Sequence, residues 1–189
     1  SSDLEKIVPV KEALTLKGAI FAHGRQMGKT LILPVRWNLA TAKPVLGTNP
    51  TEKLLTNGIR GSLKYSDFEW CSWADNDSVS FTIDLLKLEM LNTLILGCIT
   101  NNGMAIHKPA SVRVEVSDDN SKFREAVVQS FTSEEIFREG NFIENLSLKL
   151  GGTQARYVRV TAKGPGVCPA SHVRPGQTSR IFFDEVMLE

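Results

Sequence analysis

The chain has 189 residues, 42% of them hydrophobic, enough for one well-buried domain of about 150 residues plus an appendage and too few for two large domains. Twenty-two Lys and Arg stand against 21 Asp and Glu, and a net charge of +1 supplies no long-range field to draw nucleic acid or an anionic membrane surface. No apolar run reaches the roughly 18 residues of a membrane-spanning helix, and no signal peptide is recognisable.

Residues 1–38 differ from the rest. Leu14, Leu16 and Ala19–Ala22 predict a strand, His23–Gly28 a turn, and Lys29–Trp37 a second strand broken by Pro34. A lone hairpin is marginal in water, so this segment either packs on the main body or is the tail of a preceding domain. Gly24-Arg-Gln-Met-Gly28-Lys29-Thr30 has three residues between its glycines where a phosphate-binding loop needs four, and no helical pattern follows.

Residues 39–189 carry the main domain. After an extended, Pro- and Gly-rich lead, Asn57-Gly58 marks a turn. Tyr65, Phe68, Trp70 and Trp73 fall within nine residues and read as sandwich core and rim. Ser78–Leu85 places Val79, Phe81, Ile83 and Leu85 on one side of a strand, and Thr93–Thr100 is an apolar run of strand length containing Cys98. Asn101–Pro109 is a loop. Val112, Val114 and Val116 alternate with Arg113 and Glu115, and Ser117-Asp-Asp-Asn120 ends that strand in a tight turn. One short helix is expected within Phe131–Gly140, with Ser133 as its N-cap. Ala155–Ala162 is a strand, Gly164–Ser179 a long irregular loop with three glycines and three prolines, and Arg180–Leu188 a β-rich ending. Strands without long helical crossovers predict an all-β sandwich of two antiparallel sheets.

Little in this pattern speaks for catalysis. Cys71, Cys98 and Cys168 form no Cys-x-x-Cys pair, which speaks against a structural zinc site. Adjacent Asp184 and Glu185 on a strand are expected to point to opposite faces and so not to form the facing pair of a glycoside hydrolase. Cys168 and His172 share a loop with no visible third residue to orient the histidine.

Leu55-Thr-Asn-Gly-Ile-Arg-Gly-Ser62, Ile83-Asp-Leu85, Pro109–Ser117, Ala155–Val160 and Phe183-Asp-Glu185, in that order, resemble the discoidin family, also called the coagulation factor V/VIII type C domain. Cys168-Pro-Ala-Ser-His172 through Gly176 to Glu185 is similar to the accessory domain that follows the catalytic barrel in Bacteroides-type β-hexosaminidases, or chitobiases. The resemblance implies a discoidin-like jelly-roll β-sandwich and a non-catalytic, carbohydrate-binding module from the C-terminus of a glycoside hydrolase. That hydrolase would be bacterial and periplasmic or on the cell surface, and residues 1–38 would then look like the tail or terminal strands of the preceding small β-domain of those enzymes. It also implies a structural calcium held by Asn57, where relatives more often have Asp, and by Glu185. Relatives often carry Trp where this chain has Ser171 and Arg180, which leaves Trp70 or Trp73 to supply a sugar platform. Asn102, His107 and His172 are the expected hydrogen-bonding residues, and Arg174, or Arg60, the charged one. The expected partners are a glycan of the N-acetylglucosamine or galactose type and the catalytic domain of the same chain. Three readings stay open: a sugar-binding module, a purely structural domain packed on the catalytic barrel, and an enzyme.

Overall fold

The computed structural model describes residues 12, 14–73 and 78–189. It divides into two compact units, Ser1–Trp37 and Asn38–Glu189. In the first, β1 (Leu14–Ala22) pairs antiparallel with β2 (Arg25–Val35). The turn is shorter than the predicted His23–Gly28. His23 and Gly24 alone make it, with φ of 50° and 75°, the two left-handed positions of the hairpin turn that matches strand twist. Arg25 to Gly28 belong to β2, so the glycine-spaced stretch is strand and cradles no phosphate. Ile20, Phe21, Met27, Leu31 and Ile32 of this hairpin are exposed.

In the second unit, β3 (Val45–Leu46), a 3-10 turn (Glu52–Thr56) and β4 (Cys71–Trp73) precede a 24-residue strand, β5 (Ser78–Asn101). The hairpin β6 (Ser111–Ser117) and β7 (Arg124–Ser130), the one-turn helix α1 (Ser133–Ile136), the 23-residue β8 (Asn141–Lys163) and β9 (Ile181–Leu188) follow. The predicted strands Ser78–Leu85 and Thr93–Thr100 are therefore two halves of β5, and Ala155–Ala162 is the second half of β8. The register shifts between Asp84 and Glu89 and again between Leu91 and Thr93, and Leu86 has φ of 70°. A bulge there bends the strand without ending it.

That bend makes the two layers. The first half of β5 pairs with Tyr157–Lys163, and around them lie β3, β6 and β7. The second half pairs with Asn141–Lys149 on one side and β9 on the other, and β4 closes that sheet. The inward alternation fills the space between: Val79, Phe81, Ile83, Val112, Val114, Val116, Val158 and Val160 meet Leu94, Leu96, Leu146, Leu148 and Phe183. On the outer face of the first sheet the cross-strand pair Glu115 and Arg159 forms a two-pronged ion pair at 3.0 Å. Asp119 accepts the Ser121 and Lys122 N–H groups, which fixes the β6–β7 turn and holds its carboxyl well below the usual range. The N-cap of α1 is Thr132, one residue before the predicted Ser133. Thr132 and Glu135 have the three-residue spacing of a reciprocal capping box, and each side chain bonds the other's backbone N–H.

Phe182 does not join the main core. It is buried in a second cluster with Trp70, Ile99 and Ile106, against which Tyr65, Met104 and Ile143 pack. This cluster lies under the loops that carry the candidate site.

Gly97 sits in the second half of β5, and a Cβ there would lie 2.0 Å from the Asp184 carboxylate and 2.5 Å from the Arg60 guanidinium. Gly97→Ala is expected to split that buried ion pair and lower the unfolding free energy by about 3 kcal/mol or more, read by urea denaturation. A loss below about 1 kcal/mol would show that the pair shifts without cost.

Candidate functional site

Two buried carboxylates lie on an irregularity of β9. Leu96 pairs with Val186 and Cys98 with Phe183, so Asp184 and Glu185 together face the single residue Gly97. The bulge overturns the expectation that their side chains diverge: both reach the Gly58–Gly61 segment. Asp184 accepts from Arg60 Nε at 2.6 Å and from the Gly61 N–H at 2.9 Å, while Glu185 Oε2 accepts the Gly58 N–H at 3.0 Å. Neither carboxylate is solvent-exposed. They tie the loop to the sheet, and Arg60 is spent on Asp184. No hydrolytic pair is open to a substrate here.

The Asn57-Gly58 turn and Glu185, the expected calcium ligands, meet through the Gly58 N–H. The Asn57 side chain donates to Glu69 Oε2 at 2.7 Å and accepts from the Ile59 N–H at 2.8 Å. Asn is the residue best able to close such a turn on its own backbone, and here it does so. Asn57 Oδ1 accepts one N–H and keeps its second lone pair. Glu185 Oε1 is buried without a protein partner. Burial, the largest cause, pushes this carboxyl up to about 9.

The two indoles are also placed differently from expectation. Trp70 is 5% exposed and donates its Nε1–H to the Ser62 carbonyl, beneath Gly61. Trp73 is 8% exposed and stacks on Phe81 at 6.2 Å. Both lie on or next to β4, whose inward positions the core takes, so neither presents a face to a ligand. Phe68 is the exposed aromatic of this stretch, at 93%, on a turn held by Asp67 through the Ser62 and Glu69 N–H groups.

The loops Asn101–His107 and Gly164–Arg180 do meet. The His107 N–H donates to the Arg180 carbonyl and the Arg180 N–H to the Ala105 carbonyl. Between them runs a chain of hydrogen bonds whose direction follows from its ends. The Arg174 N–H donates to His172 Nδ1 at 3.0 Å, so His172 carries its proton on Nε2 and donates it to His107 Nε2 at 3.1 Å. His107 then donates from Nδ1 to Ser179 Oγ, and Ser179 donates to the Ala105 carbonyl at 3.3 Å. His107 is fully buried and His172 is 8% exposed. Every ring nitrogen is used within the protein, so neither histidine is the ligand hydrogen bonder the sequence suggests. Arg174 is exposed, but its guanidinium donates to the Gly103 carbonyl and to Gln177, bracing the loop.

Cys168 lies close to both histidines. Using these three groups for a metal would break both the His107–His172 hydrogen bond and the Arg174 N–H bond to His172, since a ring that gives its Nε2 lone pair carries its proton on Nδ1. Burial pushes the Cys168 thiol up, which also disfavours a nucleophilic thiolate.

On the outer side of His172 opens a cleft of about 120 Å³ lined by Asn102, Phe137, Glu139, Pro169, Ser171, His172 and Val173. Phe137 is half-buried, with its ring edge-on to His107 at 5.0 Å and His172 at 6.1 Å. Asn102 is 8% exposed, and neither polar atom of its amide has a protein partner. The sequence points to Asn102 and His172, and the cleft brings both into one wall. Phe137 and Glu139 were hidden in a segment that reads simply as a helix. The available signal was Phe137 itself, an apolar residue just past the last helical turn and shortly before Gly140.

The match to the F5/8 type C domain model covers residues 40–173. The chain belongs to that family, the discoidin fold. Among solved structures, CpGH89CBM32-6 produced by Clostridium perfringens superposes with a TM-score of 0.52 at 18% identity, over 81% of this chain and 98% of that one. The lectin domain of lectinolysin complexed with Lewis B antigen gives 0.53 at 16% identity, over 81% and 96%. The C-terminal domain of a chitobiase from Bacteroides fragilis gives 0.43 at 16%, over 72% and 78%. No curated protein sequence matches. Among the described residues no helix is long and apolar enough to cross a membrane.

The raised Glu185 carboxyl has a consequence for stability. Between about pH 4.5 and about 9 the folded chain holds a proton there that the unfolded chain has released, so folding loses stability as pH rises through that window. In chelator, the melting temperature of the wild type is expected to fall from pH 5.5 to 8.5 more steeply than that of Glu185→Gln. Parallel slopes would show that Glu185 is ionised in the fold.

Proposed function

We propose that residues 38–189 form a non-catalytic carbohydrate-binding module, accessory to a bacterial β-hexosaminidase- or chitobiase-like glycoside hydrolase outside the cytoplasm. The observation that carries this reading is the cleft at the loop end of an F5/8 type C sandwich, where an aromatic wall and an unpartnered amide adjoin. Sugar sites need those two things together, an apolar face for the ring's C–H groups and fixed polar atoms for its hydroxyls. Phe137, Pro169 and Val173 supply the first, and Asn102, Ser171 and Glu139 the second. The fold it shares with a lectin domain complexed with Lewis B antigen supports a glycan partner. The cleft suits a single residue of the N-acetylglucosamine or galactose type at a chain end.

A structural role in packing against a catalytic domain is the second reading. Leu86, Leu88 and Met90, each 50–55% exposed, leave apolar side chains outside on the bend of β5.

Calcium is also proposed, through Glu185. Its Oε1 and the neighbouring Asp184 Oδ1 are buried oxygens without a protein partner, and an ion taking Oε1 would displace the Glu185 carboxyl proton. Millimolar calcium is expected to raise the melting temperature of the wild type at pH 7.5 and leave Glu185→Gln unmoved, whereas equal shifts would place the ion elsewhere.

For the glycan, calorimetric titration with N-acetylglucosamine and with galactose is expected to show saturable binding, weakened about tenfold, or ~1.4 kcal/mol, by Phe137→Ala and by Asn102→Ala. Trp70 and Trp73 fluorescence should barely respond, because both indoles are buried. Titrations that stay flat to about 50 mM in the wild type would favour the structural reading.

A further inference from the structure

We propose that the His107–His172 pair makes the adjoining cleft pH-sensitive: with both rings neutral the Gly164–Arg180 loop is docked and the cleft formed, and one added proton undocks the loop. This inference rests on the cleft being the ligand site.

The geometry leaves no room for an extra proton. If His172 gains one, its Nδ1–H faces the Arg174 N–H across 3.0 Å; if His107 gains one, its Nε2–H faces His172 Nε2–H across 3.1 Å. Either event sets two donors against each other in a buried place, which costs more than the hydrogen bond it removes. The chain is thus compatible with a single protonation state, and both ends of it are loop backbone, the Arg174 N–H and the Ala105 carbonyl.

Among the described residues no carboxylate hydrogen-bonds or ion-pairs with either ring. Cys168 on the same loop is buried and holds its proton. The guanidinium of Arg174 is committed to Gly103 and Gln177, and that of Arg180 donates to the Met104 carbonyl. Lys108, next in sequence to His107, pairs with Glu144 at 3.0 Å. From the α1 side the pair meets the Phe137 ring, and Glu139 stands exposed at the rim of the cleft. Burial first, and then His172, push His107 down to about 4. The docked loop therefore takes up fewer protons than the undocked one between about pH 6.5 and 4, and docking weakens as pH falls through that window.

The cleft walls Pro169, Ser171, His172 and Val173 all ride on this loop, whereas Asn102 and Phe137 do not. Undocking separates the two walls. Affinity then falls in proportion to the docked fraction, about tenfold when one molecule in ten stays docked.

The test uses the whole chain. Nitrogen-detected NMR of the histidine rings at pH 7.5 should show His172 protonated on Nε2 and His107 on Nδ1, and amide signals of residues 164–180 should change together as pH is lowered to about 4.5. In the double variant His107→Gln/His172→Gln, which leaves neither imidazole to protonate, that collective change should vanish. N-acetylglucosamine and galactose affinities should fall about tenfold over the same range in the wild type and stay level in the variant. Histidines that titrate separately while residues 164–180 keep their signals would overturn the switch. Binding that is equally tight at pH 7.5 and 4.5 would overturn it too and leave the carbohydrate reading standing. A collective loop change with no sugar bound at either pH would sink the carbohydrate reading, and with it the switch as a regulator of binding.

Discussion

The antiparallel ladder between β5 and β8 is the constraint on which the rest of the second unit depends. Register runs from Ser78 opposite Lys163 to Asn101 opposite Asn141, through two irregularities near its middle. Two strands that bend together belong to both layers, so neither sheet forms without half of the other's backbone partners in place. Most contacts made this way are far apart in sequence, and loop-closure entropy must be met before any of them is gained. The β6–β7 hairpin, with its Asp119 turn, is the local exception, its pairing closed by a short loop.

The bend was not legible in the sequence, although both halves of each strand were. Val79, Phe81, Ile83 and Leu85 alternate cleanly, and so do Val112, Val114 and Val116, because their partners across the sandwich are apolar wherever the side chain points inward. Leu86, Leu88 and Met90 break the pattern by leaving apolar groups outside, and a reader of periodicity ends the strand there. Leu86 at positive φ is a conformation that no Leu announces. The same limit applies at β9. Asp184-Glu185 reads as an alternating pair, and the extra residue opposite Gly97 is a property of the pairing, which lies 87 positions upstream.

Site residues were legible as loops more than as roles. Asn102, His107, His172 and Arg174 do gather at one end, since the connections between strands must run over the surface there. Their tasks depend on which neighbour each polar atom finds. Asn57 bonds to its own turn, Arg174 to the Gly103 carbonyl, and both histidines to each other. Aromatic residues misled for a related reason. Trp70 and Trp73 carry the largest apolar surface in the stretch, and the core claims such surface first, while the smaller Phe137 and Phe68 are left at the rim.

An internally satisfied histidine chain has a different use from a histidine that touches a ligand. Each nitrogen bonded within the protein gives up a contact with sugar, yet it removes a degree of freedom from a loop with three glycines and three prolines that would otherwise be mobile. Binding to a wall already in place loses less ordering entropy than binding to one that must be assembled. The chain from Arg174 to Ala105 thus does for the cleft what a second shell does for a metal site: it fixes the orientation of a group without competing for the ligand. Asn102 is the buried amide in the wall with its valences open, and in the proposed carbohydrate site selectivity among sugars would rest on whether a hydroxyl or an acetamido group better fills both its donor and its acceptor.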